Sequence, residues 1–136
     1  DPNYRGFYAG CDNSGDIPNE AIGSHHPAGD VMKISFDEEA STKQTFQGVS
    51  SWEIASWNDG TTEGGSSGSP LYDQNKRIIG QLYGGFASCN SDTEDYYGRF
   101  GFLFLYLQLH FLLSFHPPLI LFFLLRSILS SFFMII

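Results

Sequence analysis

Residues 64–70 read Gly-Gly-Ser-Ser-Gly-Ser-Pro, and this stretch determines how the rest of the chain is interpreted. Three glycines within five residues allow positive φ angles and a close approach of the backbone to another molecule. In such a turn Ser67 can point its hydroxyl outward while the amides of Gly65 and Ser67 point into one small space. Two amides directed at one point form an oxyanion hole for a tetrahedral intermediate. The stretch therefore favours Ser67 as a nucleophile, and a plain Gly/Ser-rich surface loop is the alternative.

The segments on both sides of this turn predict an all-β fold. Short apolar runs rich in β-branched and aromatic residues alternate with turn-rich runs, and residues 1–100 show no sustained 3.6-residue period. Six or seven short antiparallel strands are enough for one Greek-key barrel. The predicted strands are Arg5–Gly10, Ala21–His25, Val31–Phe36, Thr45–Trp52, Pro70–Tyr72, Ile78–Tyr83 and Tyr96–Phe100.

A nucleophile turn followed by a hairpin and a strand ending in Gly-Gly resembles the bacterial lysyl endopeptidase-like serine proteases, within the chymotrypsin/trypsin-like superfamily. Further matching stretches are Phe-Tyr-Ala-Gly at 7–10, Gly-Ser-His-His-Pro-Ala-Gly-Asp at 23–30, Val-Met-Lys-Ile-Ser at 31–35 and Asp-Tyr-Tyr-Gly-Arg-Phe at 95–100. The resemblance covers residues 4 to 100, with Cys11 where the family usually has tryptophan.

The resemblance implies an incomplete second Greek-key β-barrel, at residues 1–101, of a secreted and monomeric serine endopeptidase without a cofactor. The expected substrate is a polypeptide cleaved after lysine by acyl-enzyme chemistry at Ser67. Asp95 matches the carboxylate that selects lysine, and Tyr83, Gly84 and Gly85 match the segment that pairs with the substrate main chain. Well-studied members have histidine at the position of Tyr83. Ser66 stands where animal zymogens keep an aspartate that pairs with a new N-terminus, so no such activation switch is expected.

A serine nucleophile also needs a general base and a carboxylate that orients it. His25 or His26 with Asp30 would fit by order along the chain. The resemblance implies instead that both triad partners lie before Asp1. The two histidines are then expected to pack and hydrogen-bond at a strand end near the barrel. His110 and His116, in the tail, are weaker candidates still. The chain alone is therefore expected to be inactive.

The charge and cysteine content narrow the function classes further. A net charge of −8 leaves no basic patch for nucleic acid. No Cys/His spacing suits zinc and no loop resembles a calcium site, so no obligatory metal is expected. The resemblance implies that Cys89 pairs with a cysteine absent from this chain; a Cys11–Cys89 disulfide is conceivable only in an oxidising compartment.

The composition changes abruptly at residues 102–136. Phe, Leu, Ser and Pro make up 25 of these 35 residues, and no acidic residue occurs among them. Phe102–Phe115 is too short to span a bilayer, Leu119–Ile136 carries Arg126, and the proline pair 117–118 would break a joining helix. Because all four residues have pyrimidine-only codons, we expect read-through or a gene-prediction error, with a membrane segment as the alternative. In that second case the chain would be a non-catalytic β-barrel binding module tethered by its tail.

Overall fold

The structure, a computed structural model, describes residues 9–101, and these residues form an all-β fold as the sequence predicts. Seven strands are joined by turns and by one short 3₁₀ helix, Pro27–Gly29. The strands are β1 (Ala21–His25), β2 (Lys33–Asp37), β3 (Thr42–Phe46), β4 (Val49–Ile54), β5 (Pro70–Asp73), β6 (Ile78–Gly85) and β7 (Asp95–Arg99).

The strands form one antiparallel sheet in the order β2-β1-β5-β6-β7-β4-β3, which must curl into a barrel-like shape. Strands β2 and β3 lie at opposite ends of this order, but only residues 38–41 separate them in the chain. A flat sheet of seven strands would place its outer strands about 29 Å apart. Five Cα-to-Cα steps between Asp37 and Thr42 reach at most about 18 Å. The linker therefore draws the two ends of the sheet together.

The core lies on the inner face of this curled sheet. Its strand members come from β1, β4, β5, β6 and β7, where alternate side chains point to the inner face, and Trp57 follows β4. Two tryptophans give it bulk, and the Trp52 indole N–H donates to the carbonyl of Ile79 on β6 at 3.2 Å. The core residues are Ala21, Trp52, Ile54, Trp57, Leu71, Ile79, Leu82 and Tyr97.

The single strand predicted over Thr45–Trp52 is wrong, because the segment forms the hairpin β3–β4. Gln47 and Gly48 both have positive φ, 47° and 82°, between the paired residues Phe46 and Val49. Positive φ at both central residues defines the type I′ turn, whose twist matches that of a two-residue hairpin. Gln-Gly is a weaker turn signal than Asn-Gly, and the sequence therefore reads as continuous strand.

Strand β2 buries its polar face rather than its apolar one. The predicted strand Val31–Phe36 is observed at Lys33–Asp37, with Ser35 and Asp37 buried. Ile34 and Phe36 point to the outside and are 52% and 40% exposed. The predicted alternation between the two faces of the strand is therefore correct. The face that points into the barrel carries the polar side chains, however, and not the apolar ones.

The outer edge of β2 is covered by the segment that follows Trp57. The amide of Phe36 donates to the carbonyl of Asp59 at 2.8 Å, and the amide of Asn58 donates to the carbonyl of Phe36 at 2.8 Å. Gly60, with φ of 79°, lies so close to Ser35 that a Cβ would overlap its backbone and hydroxyl. We call residues 57–62 the edge segment.

The remaining predicted strands differ little from the observed ones. Ala21–His25 is confirmed as β1, and Pro70–Tyr72, Ile78–Tyr83 and Tyr96–Phe100 match β5, β6 and β7 with small shifts at their ends. The predicted strand Arg5–Gly10 falls mostly outside the described residues. Next to it, Cys11 forms an isolated β-bridge with Ile78, in which the amide of Ile78 donates to the carbonyl of Gly10 and the amide of Asp12 donates to the carbonyl of Ile78. The predictions for residues 102–136, including those for His110 and His116, also fall outside the described residues. No helix among residues 9–101 has the length and apolarity needed to cross a membrane.

Candidate active site

The turn at residues 64–69 places two adjacent serines in opposite environments. Ser66 is buried, at 1% exposure, whereas Ser67 is exposed. Gly65 and Gly68 on either side of the pair have φ of 98° and 83°, conformations that residues with a side chain rarely adopt. The two glycines thus let the chain reverse twice within five residues, which turns Ser66 inward and Ser67 outward.

The backbone amides of this turn are used selectively. The amide of Ser66 donates to the carbonyl of Glu63 at 3.0 Å, that of Gly68 to Leu82 at 2.8 Å, and that of Ser69 to Ser66 at 3.1 Å. The amides of Gly65 and Ser67 donate to no protein group within residues 9–101. These are the two amides that the sequence assigns to an oxyanion hole.

The turn is also packed tightly against the loop that follows β1. The amide of Ala28 donates to the carbonyl of Gly64 at 2.7 Å. A Cβ on Gly65 would lie 3.0 Å from the amide nitrogen of Gly29 and 3.3 Å from the carbonyl oxygen of His26. Glycine is therefore required at position 65 both for its φ angle and for space.

His25 connects this turn to strand β2 through a buried hydrogen-bond chain. Its Nδ1 lies 3.0 Å from Ser66 Oγ, and its Nε2 lies 3.0 Å from Ser35 Oγ. Burial, and secondarily the neighbouring charge of His26, lowers the pKa of His25 and favours a neutral ring. The expectation that His25 packs and hydrogen-bonds at a strand end matches this geometry, although its partner Ser66 was not foreseen.

His26 and Asp30 do not form a pair through their side chains. His26 is exposed, and its Nδ1 lies 3.0 Å from the backbone carbonyl oxygen of Asp30 rather than from the carboxylate. Neither residue makes a hydrogen bond to Ser67 within residues 9–101. The geometry therefore offers no support for a His26–Asp30 base.

Asp95, the first residue of β7, is a buried carboxylate with two side-chain donors. The Trp57 indole N–H donates to Asp95 Oδ2 at 2.9 Å, and the Thr62 hydroxyl donates to the same oxygen at 2.7 Å. Asp95 is 2% exposed, and burial raises its carboxyl pKa even though both hydrogen bonds act to lower it. The carboxylate would gain strongly from a bound cation, because an opposite charge replaces the lost hydration.

Gly85 lies directly beside this carboxylate. A Cβ at position 85 would overlap Asp95 Oδ1 and would lie 2.8 Å from the carbonyl oxygen of Glu94. Only glycine therefore allows Asp95 to keep its position opposite Gly85 in the β6–β7 ladder.

Tyr83, Gly84 and Gly85 extend β6 beyond its partner β5. Pairing with β5 ends at Gln81, while Gly84 and Gly85 remain paired with β7 on the other side. Tyr83 sits at a bulge, is 45% exposed, and contacts Phe46 edge to face at a centroid distance of 6.2 Å. The other edge of this segment faces no strand among residues 9–101, which leaves room for an added strand.

Sequence reasoning missed Trp57 and Thr62, the two donors to Asp95. They lie 38 and 33 residues from Asp95 in the chain, so no local spacing marks them. The general rule that a buried carboxylate must be hydrogen-bonded predicts such partners without naming them.

The two cysteines do not form a disulfide. Cys11 and Cys89 are both free and exposed, and Cys89 Sγ lies 3.6 Å from a carboxylate oxygen of Glu63. Among residues 9–101, no three His, Cys, Asp or Glu side chains are grouped as a metal ion would require.

Comparison with known proteins identifies the family. Residues 1–98 match the family described as "Lysyl endopeptidase, C-terminal domain". The chain is 34% identical over 103 residues to the lysyl endopeptidase of Pseudomonas aeruginosa, an alignment that covers 69% of this chain and 22% of that protein. The chain thus spans about a fifth of the length of this relative.

A solved structure shows a similar fold. It is the crystal structure of the inactive form of a mutant of Rv3671c from M. tuberculosis H37Rv, with a TM-score of 0.55 and 14% sequence identity. The match covers 85% of this chain and 58% of that one. On the family match over residues 1–98, this chain belongs to the lysyl endopeptidase C-terminal domain family.

Proposed function

We propose that this chain is the nucleophile-bearing part of a secreted serine endopeptidase that cleaves polypeptides after lysine. The observation that carries the proposal is the turn at 64–69, where exposed Ser67 lies in the same turn as two amides, of Gly65 and Ser67, that donate to no group among residues 9–101. A serine hydroxyl beside two free amides can attack the carbonyl carbon of a substrate. The carbonyl oxygen then accepts a hydrogen bond from each amide.

In the proposed reaction, Ser67 Oγ attacks the carbonyl carbon of the scissile peptide bond and its proton passes to a general base. The resulting oxyanion accepts hydrogen bonds from the amides of Gly65 and Ser67. The amine leaves with that proton, and water then releases the acyl group from Ser67. The base and its orienting carboxylate come from the part of the complete protein that this chain does not span.

Asp95 is the proposed selector for lysine. Its buried carboxylate, held by Trp57 and Thr62, offers an ammonium group an opposite charge and a hydrogen-bond acceptor. The free edge at Tyr83–Gly85 would pair with the main chain of the substrate and bring a side chain toward Asp95, which is paired with Gly85. A neutral side chain would leave the carboxylate uncompensated and is therefore discriminated against.

The test is covalent labelling of the complete protein, which contains this chain together with the region that the chain does not span in its relatives. A fluorophosphonate should label Ser67, identified by peptide mapping. The variant Ser67→Ala should lose the label, whereas Ser91→Ala, which removes another exposed serine, should keep it. Label on any other serine would contradict the assignment.

A further inference from the structure

His25 stands between the candidate nucleophile turn and the sheet, and it is hydrogen-bonded to both. It is 1% exposed and fills the inner face of β1 at a point where its strand neighbours are Ala21 and Gly23. Both ring nitrogens are within hydrogen-bond distance of a serine hydroxyl, one on the turn and one on β2. The turn serine, Ser66, directly precedes Ser67.

The hydrogen bonds around Ser66 have a consistent direction. The amide of Glu63 donates to Ser66 Oγ at 3.4 Å, and the Ser66 hydroxyl can in turn donate its proton to His25 Nδ1. With Nδ1 as the acceptor, the ring proton lies on Nε2 and is donated to Ser35 Oγ. This arrangement has a neutral imidazole, because a doubly protonated ring would offer the Ser66 hydroxyl no acceptor.

We propose that neutral His25 is the positioning residue of the nucleophile turn: by holding the hydroxyl of Ser66 it fixes the orientation of Ser67 and of the two amides beside it. The inference rests on the proposed role of Ser67. A neutral hydrogen bond between two side chains of this chain anchors the turn, so the anchoring needs no newly cut N-terminus. His25 acts through Ser66 and does not contact the reacting atoms.

The alternative is that His25 only fills space in the barrel. Two variants of the complete protein separate the two roles, because asparagine places its amide where Nδ1 stands and glutamine places its amide where Nε2 stands. His25→Asn retains a group that reaches Ser66, whereas His25→Gln retains one that reaches Ser35. A space-filling role predicts similar effects for both variants.

We expect His25→Gln to slow fluorophosphonate labelling of Ser67 and to lower kcat on a lysyl ester by about 10- to 100-fold, with KM nearly unchanged. His25→Asn should recover most of that loss. His26→Asn, at the exposed histidine next door, is the matched control and should label at the wild-type rate. Equal losses in both His25 variants, or no loss in either, would overturn the inference.

A second measurement needs no substitution at His25. Nitrogen-15 NMR of the histidine rings in the complete protein should show His25 neutral at pH 7 with its proton on Nε2. A proton on Nδ1, or a doubly protonated ring, would overturn the inference. Absence of any label on Ser67 in the wild-type protein would instead refute the proposed function, so the two failures are distinguishable.

Discussion

Ser66 and Ser67 show how strongly the backbone decides the role of a residue. The two side chains are chemically identical, yet one is buried against His25 and the other is exposed. The difference follows from the positive φ angles of Gly65 and Gly68, which no side-chain property of the serines could supply. The capacity for chemistry at Ser67 therefore depends on glycines that carry no chemistry themselves.

Replacing Gly65 tests this dependence directly. Gly65→Ala should lower the free energy of unfolding by about 1–3 kcal/mol, because the residue has φ of 98° and its Cβ would press on the amide of Gly29. Gly64→Ala is the matched control, since a Cβ there meets nothing within 4 Å, and it should change stability by less than about 0.5 kcal/mol. Urea unfolding of both variants measures the difference; equal effects would contradict the packing described here.

Asp95 should lower stability near neutral pH. Burial raises its carboxyl pKa, so its contribution to stability is present below the unfolded-state pKa of about 3.9 and is lost as pH rises through the folded-state pKa. Asp95→Asn keeps an oxygen for Trp57 and Thr62 but carries no charge. We expect it to raise the free energy of unfolding at pH 7 relative to wild type and to give no such gain near pH 3.

The same variant tests the proposed role of Asp95 as the lysine selector of the complete protein. kcat/KM on lysyl esters is expected to fall by about 100-fold or more, while neutral esters are spared, because an ammonium would lack its partner. Glu94→Gln, which removes a negative charge from the adjacent residue, is the control and should preserve selectivity. An equal loss on lysyl and neutral esters would make Asp95 a structural residue only.

At the scale of single elements, the sequence predicts strands well where burial is regular and fails where a turn is weakly marked. Ala21–His25 is correct at both ends, whereas the β3–β4 hairpin was merged into one strand because Gln47 is an uncommon residue for positive φ. The turn at residues 64–69 is predicted from its glycines, and the structure has a turn there with Gly65 and Gly68 at positive φ. Trp57, Thr62 and the His25–Ser66 contact were not, because separations of 33 to 41 residues in the chain leave no local pattern.

The hairpin offers a test of its own. Gln47→Asn creates the Asn-Gly pair favoured in type I′ turns and should raise the free energy of unfolding by about 0.5 kcal/mol. Gln44→Asn, the same change in the extended part of β3, should be neutral or destabilising because asparagine disfavours strands. Thermal unfolding of the two variants provides the comparison, and a destabilised Gln47→Asn would argue against the type I′ geometry.

At the scale of the whole fold, residues 9–101 expose several large apolar side chains on β2 and on the two residues before it. Val31, Met32 and Ile34 are 62%, 60% and 52% exposed, and Phe36 continues the strip. Contiguous apolar surface of this kind marks a contact region or a liability to aggregate. We expect it to reduce the solubility of the chain when it is expressed alone.

The chain alone should have no peptidase activity above background. Serine is a poor nucleophile without a base, and loss of the base costs a serine protease about a millionfold in kcat. Residues 1–136 and, separately, residues 1–101 should be assayed on a lysyl ester beside their Ser67→Ala variants. Turnover that disappears with Ser67→Ala would show that His25 or His26 acts as base, contrary to the positions described here.

The edge segment, residues 57–62, combines two roles in one short stretch of backbone. Asn58 and Asp59 shield the open side of β2, while Trp57 and Thr62 hold the carboxylate of Asp95. A substitution that moves this backbone is therefore expected to change the surroundings of Asp95 and, at the same time, to uncover a strand edge that can pair with another chain.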